Sequence, residues 1–226
     1  DSPYLDRRAT VSSVDHQWAP NADWNIRTQV VASSVTEAGA RSDDSGFQLR
    51  ADQELGGGWR QQAYLLHLGD ELQLNDIGFL DRNDFNYLRY DLARRITGLP
   101  EDSAYSSHDW RGAASVRRSD SGVHIADAVA LNRYSERRDG GSEFLDVTYW
   151  TDGYDDLITR GNGVVRVPAK MFLFWERNRP QRGRWSWYGS VNAAADGLDG
   201  ASGMGLETFL EPTLHLSDSL TVEMGL

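Results

Sequence analysis

The 226-residue chain contains no cysteine. Its absence removes disulfides, thiolate nucleophiles and cysteine-ligated zinc together. Nowhere do eighteen apolar residues run in succession, so no segment reads as a membrane-spanning helix. The amino terminus, Asp1-Ser2-Pro3-Tyr4, does not read as a signal peptide. A basic surplus is missing too: 23 Lys and Arg stand against 34 Asp and Glu, a net charge of −11. Nucleic acid is therefore not an expected partner, because phosphate contacts need a basic surface. His16, His67, His108, His124 and His215 are scattered, with no HExxH or other close pair, and no GxSxG elbow occurs. No catalytic residue, metal ligand or cofactor follows from the sequence. A glycosidase carboxylate pair could be assembled from distant strands, but no single sequence identifies one.

What the chain does carry is alternation. Phe47, Leu49 and Ala51 face one way while Gln48, Arg50 and Asp52 face the other. Trp110, Gly112, Ala114 and Val116 alternate with Arg111, Ser115 and Arg117, and Leu220, Val222 and Met224 with Thr221 and Glu223. Strand side chains point to opposite faces with period two, so each such segment has one apolar and one charged face. Strands are expected near 9–18, 24–35, 46–55, 59–69, 86–96, 110–118, 123–133, 143–150, 163–176, 184–195, 204–211 and 219–226, about twelve in all within one all-β unit. In the 163–176 segment Val165, Val167, Ala169, Met171, Leu173 and Trp175 alternate with Arg166, Lys170 and Glu176. The segment from Phe85 competes as a helix, since Leu88, Leu92 and Ile96 follow at three- and four-residue steps; its neighbours favour a strand. Turn chemistry marks 20–23, 56–58 and 179–183, whereas 36–45, 70–85, 152–162 and 196–203 read as longer loops. Those longer loops fall mostly on one end. The loop 97–109 and the tight turn 119–122 are exceptions.

Several segments are long enough to cross a bilayer at a tilt. The mean hydropathy of −0.57 is compatible with that, because a membrane barrel is apolar only on alternate residues within a band roughly 25 Å tall. Seven of the eight tryptophans lie near strand ends. A membrane–water interface favours that placement, since an indole has an apolar body and one donor for the wet side. Two other readings are tryptophans plugging the ends of a soluble β-sandwich and tryptophans stacking on sugar rings.

Two loops carry more specific patterns. Asn75-Asp76-Ile77-Gly78-Phe79-Leu80-Asp81-Arg82-Asn83-Asp84 resembles an "NDxGFLxRND" signature, and Tyr154-Asp155-Asp156-Leu157-Ile158-Thr159-Arg160-Gly161 a "DDxxTRG" element. In this order, on strand connections, they resemble the uncharacterised bacterial outer-membrane β-barrel family found behind an N-terminal family-9-type carbohydrate-binding module. The resemblance implies an outer-membrane location, lipid as a partner, and no established catalytic residues. The chain lacks that module and a terminal aromatic strand, so the resemblance implies an antiparallel up-and-down transmembrane barrel sector completed by the remainder of its own barrel.

The expected role is a polar-lined pore or a wall handling a small polar solute or a glycan. A soluble glycan-binding sandwich and part of a glycoside-active enzyme are the alternatives. By phase, Arg50, Asp52, Arg89, Asp91, Arg111, Arg166 and Glu207 are expected on the lumen face. Leu49, Val116, Val167, Leu173, Val191, Leu206 and Val222 are expected on an outward apolar band. The first and last strands should not pair. Asn75–Asp84 and Asp155–Gly161 are expected to meet at the mouth through crossed pairing of Arg82 and Arg160 with the opposite loop's carboxylates, over Phe79. Their acidic stretches read as turns rather than calcium loops.

Overall fold

The computed structural model describes residues 6–75, 82–159, 162–198, 203–218 and 220–225. These residues form strands and connections, with no helix among them. The strands are β1 (Arg7–Trp18), β2 (Trp24–Glu37), β3 (Ala40–Gly56), β4 (Trp59–Leu68), β5 (Phe85–Thr97), β6 (Tyr105–Arg118) and β7 (Ala128–Arg137). They continue as β8 (Ser142–Trp150), β9 (Gly153–Asp155), β10 (Val165–Val167), β11 (Lys170–Arg182), β12 (Trp185–Asp196), β13 (Gly203–Ser217) and β14 (Leu220–Glu223). Twelve of them make one antiparallel sheet in chain order, while β9 and β10 form a separate small hairpin. No ladder joins β1 to β14 among the described residues, so the sheet is open.

Paired residues in a ladder share a face, so the register propagates the alternation across the sheet. One row runs Trp24, Gln53, Gln61, Leu92, Gly112, Leu131, Val147, Leu173, Ala193, Leu206. The parallel row two residues away joins Trp59, Arg94, Trp110, Arg133, Leu145, Trp175 and Val191. Leu49, Val116, Leu173, Val191, Leu206 and Val222 all fall on this apolar face. Trp18, Trp24, Trp59, Trp110, Trp175, Trp185 and Trp187 share it, and only Trp150 lies opposite. The first of these rows starts near the beginning of β13 and leaves at the first residue of β2, at the other end of the sheet. The strands are therefore staggered by about one residue per strand, a tilt of about 35° for a 3.3 Å rise and a 4.8 Å spacing, as in closed barrels.

Burial is inverted relative to a water-soluble domain. The chain exposes 14361 Å², against about 10,000 Å² for a compact monomer of its 25.3 kDa. Among the described residues the buried apolar side chains are Val35, Leu72, Ala93 and Ala169, outnumbered by buried Ser33, Asp91, Ser107, Ser115, Ser119, Ser135 and Glu143. Leu131, Val129, Leu88 and Leu206 lie exposed on the apolar face. No second large sheet covers that face among the described residues. The polar face is the concave one: a cavity of about 730 Å³ reaches from Asp15 on β1 to Arg89 on β5.

Several expected boundaries are corrected. The 163–176 segment is not one strand. Pro168, which cannot donate to a ladder, separates β10 from β11. Val167 and Arg166 thereby leave the large sheet. Residues 36–45 are not a loop but continuous strand around a two-residue turn at Ala38-Gly39, with φ of 48° and 82°. Hairpin turns of this kind need positive φ at both positions, a cue that Ala38 conceals. Val123–Asp127 belongs to the connection before β7, so the turn at 119–122 is part of a long loop on the same end as 69–84 and 151–169. The 85–97 segment is a strand, as its neighbours favoured.

An L-residue at φ 48° is strained by roughly 1–2 kcal/mol. Ala38→Gly should relieve it and stabilise the folded chain by about 1 kcal/mol, read as a higher urea midpoint with unchanged slope.

Candidate functional site

The concave face is built of polar rows. Arg27, Arg50, Tyr64, Arg89 and Ser115 form one row, and Asn25, Asp52, Gln62, Asp91 and Ala113 the next. Each row of guanidinium groups thus lies beside a row of carboxylates. Within β3, Arg50 Nε and Nη2 donate to Asp52 at 3.0 and 3.1 Å, and Gln62 Nε2 donates to the same carboxylate at 2.5 Å. Within β5, Arg89 Nε and Nη2 grip Asp91 bidentately at 2.7 and 2.8 Å, and Arg111 Nε stands 3.7 Å from it. Asp91 is only 4% exposed, so its charge is held by two arginines rather than by water. Tyr64 Oη donates to Gln48 at 3.1 Å, whose amide donates to Gln29 at 2.8 Å. Arg60 holds Asp109 through two contacts of 3.0 and 2.9 Å.

Six of the seven expected lumen residues, Arg50, Asp52, Arg89, Asp91, Arg111 and Glu207, share this face. Glu207 stands on β13 opposite Asn192, away from the other five. Arg166 does not join them: it sits on the β9–β10 hairpin, where Nη2 donates to Asp152 at 3.1 Å. Single-strand phase missed Arg27, Gln29, Gln62, Tyr64, Arg60 and Asp109, which only the register brings alongside. It also missed Phe144, Phe172 and Phe174, which share the polar side of β8 and β11. The face carries Asp15, Glu37, Asp44, Asp52, Glu54, Asp91, Asp109, Glu136, Asp146, Glu176, Asp196, Glu207, Glu211 and Glu223 against Arg7, Arg27, Arg50, Arg60, Arg89, Arg95, Arg111, Arg117 and Lys170. It is therefore net acidic. Among the described residues no three metal-ligating side chains converge.

At the long-loop end three connections interlock. The β4–β5 connection folds inward over the concave face: Leu72 is 1% exposed, Gln73 N donates to Ser33 Oγ at 3.1 Å, and Arg7 Nη2 donates to Gln73 at 3.0 Å. A cavity of about 580 Å³ lies between this segment and the β8–β11 connection, lined by Ser42, Asp70, Glu71, Asn75, Arg82 and Leu157 among others. Arg82 Nη1 and Nη2 meet Asp156 at 2.8 and 3.0 Å, so the two motif loops do touch. Arg82 also lies over the Phe85 ring at 5.4 Å. Asp156 is 74 residues from Arg82 in sequence. Asp84 Oδ1 accepts from Asp120 N, and Tyr154 N donates to His124 O at 2.8 Å, so the β6–β7 connection bridges both loops. A Cβ on Gly153 would stand 2.2 Å from Ile125 O, which makes glycine necessary at that crossing. Asp155 Oδ1 accepts from Leu157 N and Ile158 N at 2.9 Å, and Thr159 Oγ1 donates to Asp156 O at 2.9 Å, winding the second motif on itself. Asn83 Nδ2 donates to Asp70 O at 2.6 Å. Asp76, Gly78, Phe79, Asp81, Arg160 and Gly161 lie outside the described residues; of the expected crossed pairing, the Arg82 half is seen.

Asp127, in the β6–β7 connection, accepts from Arg118 Nη1 and Nη2 at 2.7 and 3.1 Å and from Arg117 N at 3.2 Å. The hydrogen bond from Arg118 holds its carboxyl below the ordinary 3.8. A depressed carboxyl favours the folded loop above that ordinary value and ceases to do so as pH falls through its lowered value. Amides of 119–127 should therefore lose hydrogen-exchange protection below about pH 4, and Asp127→Asn should abolish that pH dependence. For the loop pair, a double-mutant cycle on Arg82→Gln and Asp156→Asn should give a coupling on the order of 1 kcal/mol, read from exchange at residues 153–159. A coupling of zero would make each motif a local turn device.

Comparison of the chain with family models, curated proteins and solved structures returns no match.

Proposed function

We propose that this chain is a wall of a bacterial outer-membrane β-barrel, with its apolar face in lipid and its polar concave face lining a path or docking surface for a small polar solute or a glycan. The single observation that carries the reading is the inverted burial: a row of exposed Val and Leu on one face, and buried Asp91, Ser115 and Ser33 on the other. A closed wall of strands is one of two ways to satisfy backbone polar groups in hydrocarbon, and the stagger of the sheet suits it. The tryptophans support it further. Trp18, Trp24, Trp59 and Trp185 open or close their strands at the short-turn end of the apolar face, at the level where indoles prefer a membrane interface. A soluble sandwich would need an apolar partner sheet over the same residues.

The concave face suggests the kind of solute. Its amides, hydroxyls and paired charges offer hydrogen bonds with little apolar area, as a hydrated sugar or small cation requires. Its acidic excess disfavours anions. The segment 69–75 folded over that face narrows the mouth, so the loops would select by size while the rows select by charge. No step of covalent chemistry is part of this reading.

Two measurements test it. Leu131→Arg, at the middle of the apolar face, should cost about 2–4 kcal/mol when folding into lipid vesicles is measured, whereas Glu207→Arg on the concave face should cost well under 1 kcal/mol. Equal costs would remove the lipid assignment. In a planar bilayer holding the closed barrel that contains this wall, the current should be cation-selective, with the reversal potential moving toward zero in Asp52→Asn/Asp91→Asn. Anion preference in the parent chain would overturn the charge argument.

A further inference from the structure

The ladder register places only two acidic residues, Asp43 and Glu143, on the apolar face within the described strands of the large sheet. Glu143 stands at the short-turn end and is 6% exposed. Three arginines surround it. Arg137 Nη1 donates to Oε1 at 3.0 Å, Arg177 Nε lies 3.5 Å from the same oxygen, and Arg133 Nη2 lies 3.8 Å from Oε2. Tyr105 Oη donates to Oε2 at 2.8 Å, which completes the carboxylate's shell. Asp139 takes a second contact from Arg137, at 3.4 Å. Three guanidinium groups thus share two carboxylates, leaving one positive charge uncompensated in a chain whose net charge is −11.

The arginines are posed rather than loosely solvated. Arg133 lies over the Trp110 ring at 5.4 Å, Arg177 over Trp187 at 5.3 Å and Arg137 over Tyr105 at 5.0 Å. The Nε atoms of all three are buried: that of Arg133 finds no hydrogen-bond acceptor, while those of Arg137 and Arg177 face Asp139 and Glu143 at 3.4 and 3.5 Å. Arg94, over Trp59 at 5.0 Å, adds a further guanidinium on the row that carries Trp110 and Arg133. A partly desolvated cluster of three guanidinium groups on two carboxylates favours a further anionic acceptor. The guanidinium fork matches a tetrahedral oxyanion, and flanking indoles belong at the depth where such groups occur in a bilayer.

We propose that Arg133, Arg137 and Arg177, held apart by Glu143, form a site for the phosphate of a lipid headgroup at the tryptophan-bearing rim. This rests on the lipid-facing assignment made above for the same side of the sheet. The phosphate would sit over the cluster and take the Nη groups that Glu143 leaves open. Trp110 and Trp187 would lie alongside the glycerol and upper acyl chains. Glu143 is a positioning residue: it spaces the guanidinium groups and touches no part of the lipid.

The test uses the chain folded in dodecyl maltoside, titrated with short-chain phosphatidylglycerol or with an uncharged galactosyl diacylglycerol, and bound lipids counted by native mass spectrometry. Arg133→Gln/Arg177→Gln should weaken phosphatidylglycerol at least tenfold and leave the galactolipid unchanged. Arg133→Lys/Arg177→Lys should restore part of the loss, because charge returns without the fork. Inorganic phosphate at millimolar concentration should compete weakly; full displacement would make this a free-phosphate site and overturn the lipid assignment. If both lipids bind equally to parent and double variant, the phosphate site is wrong while the lipid-facing reading stands. If neither lipid binds the parent chain, both fail. Should the double variant not fold, the phosphorus resonance of phosphatidylglycerol on the parent chain decides: a shifted bound line supports the site, and an unperturbed line overturns it.

Discussion

Each cross-strand pair in this sheet commits two residues to one face, and the ladders that run without crossover from β1 to β14 carry that commitment over the whole width. Because side chains alternate strictly, a slip of one residue in any ladder would turn Arg89 and Asp91 outward and Leu88 and Tyr90 inward for every strand beyond it. The apolar rows make such a slip costly, and the paired rows Arg50–Arg89 and Asp52–Asp91 make the chosen register favourable. The inverted burial, the cavities and the position of the tryptophans all follow from this one constraint. A sheet of this kind does not stabilise itself by a core, since so few described apolar side chains are buried. Its cohesion is ladder hydrogen bonding, together with whatever covers the exposed face.

The two faces solve opposite electrostatic problems. On the concave side carboxylates outnumber cations, yet the most buried of them, Asp91, is satisfied twice over by Arg89 and Arg111. On the apolar side the imbalance is reversed around Glu143, where three arginines meet one buried carboxylate. Glu143 lies at the short-turn end of the apolar face, where long side chains can carry charged heads toward polar surroundings. Arginine thus pairs with carboxylates on both faces, outnumbered by them on the concave one and in excess around Glu143, and strand phase decides which.

The three connections at the long-loop end give the structure its only described layer beyond the sheet. Leu72 supplies an apolar anchor for the first of them, since its side chain is buried over the concave face beside Gly46. Arg82 and Asp156 then tie the first connection to the third, and the 119–127 connection lies between them. The pair is partly buried, and by closing a ring of three loops it fixes their shape. That places an ordered, polar rim around the cavity bordered by Asp70, Glu71 and Arg82.

The sequence by itself determined the all-β class, about twelve long strands, the loop-rich end and which side of most strands is apolar, because period-two alternation is a local property. It also singled out Arg50, Asp52, Arg89 and Asp91, whose spacing along one strand already brings guanidinium and carboxylate together. It did not determine Arg27, Gln62, Tyr64 or Arg60, because what joins them to those residues is ladder register, which depends on partners tens of residues away. Arg166 and Val167 read as strand residues by phase, and Pro168 broke the ladder they would have entered. Residues 36–45 read as loop by composition, and the positive φ of Ala38 made them a hairpin. The cluster at Glu143 was invisible along the chain: its members come from β6, β7, β8 and β11, and only the folded sheet brings them to one point on one face. Tertiary structure decided these because a side chain's charge environment is set by its neighbours across the hydrogen bonds, not by its neighbours in sequence.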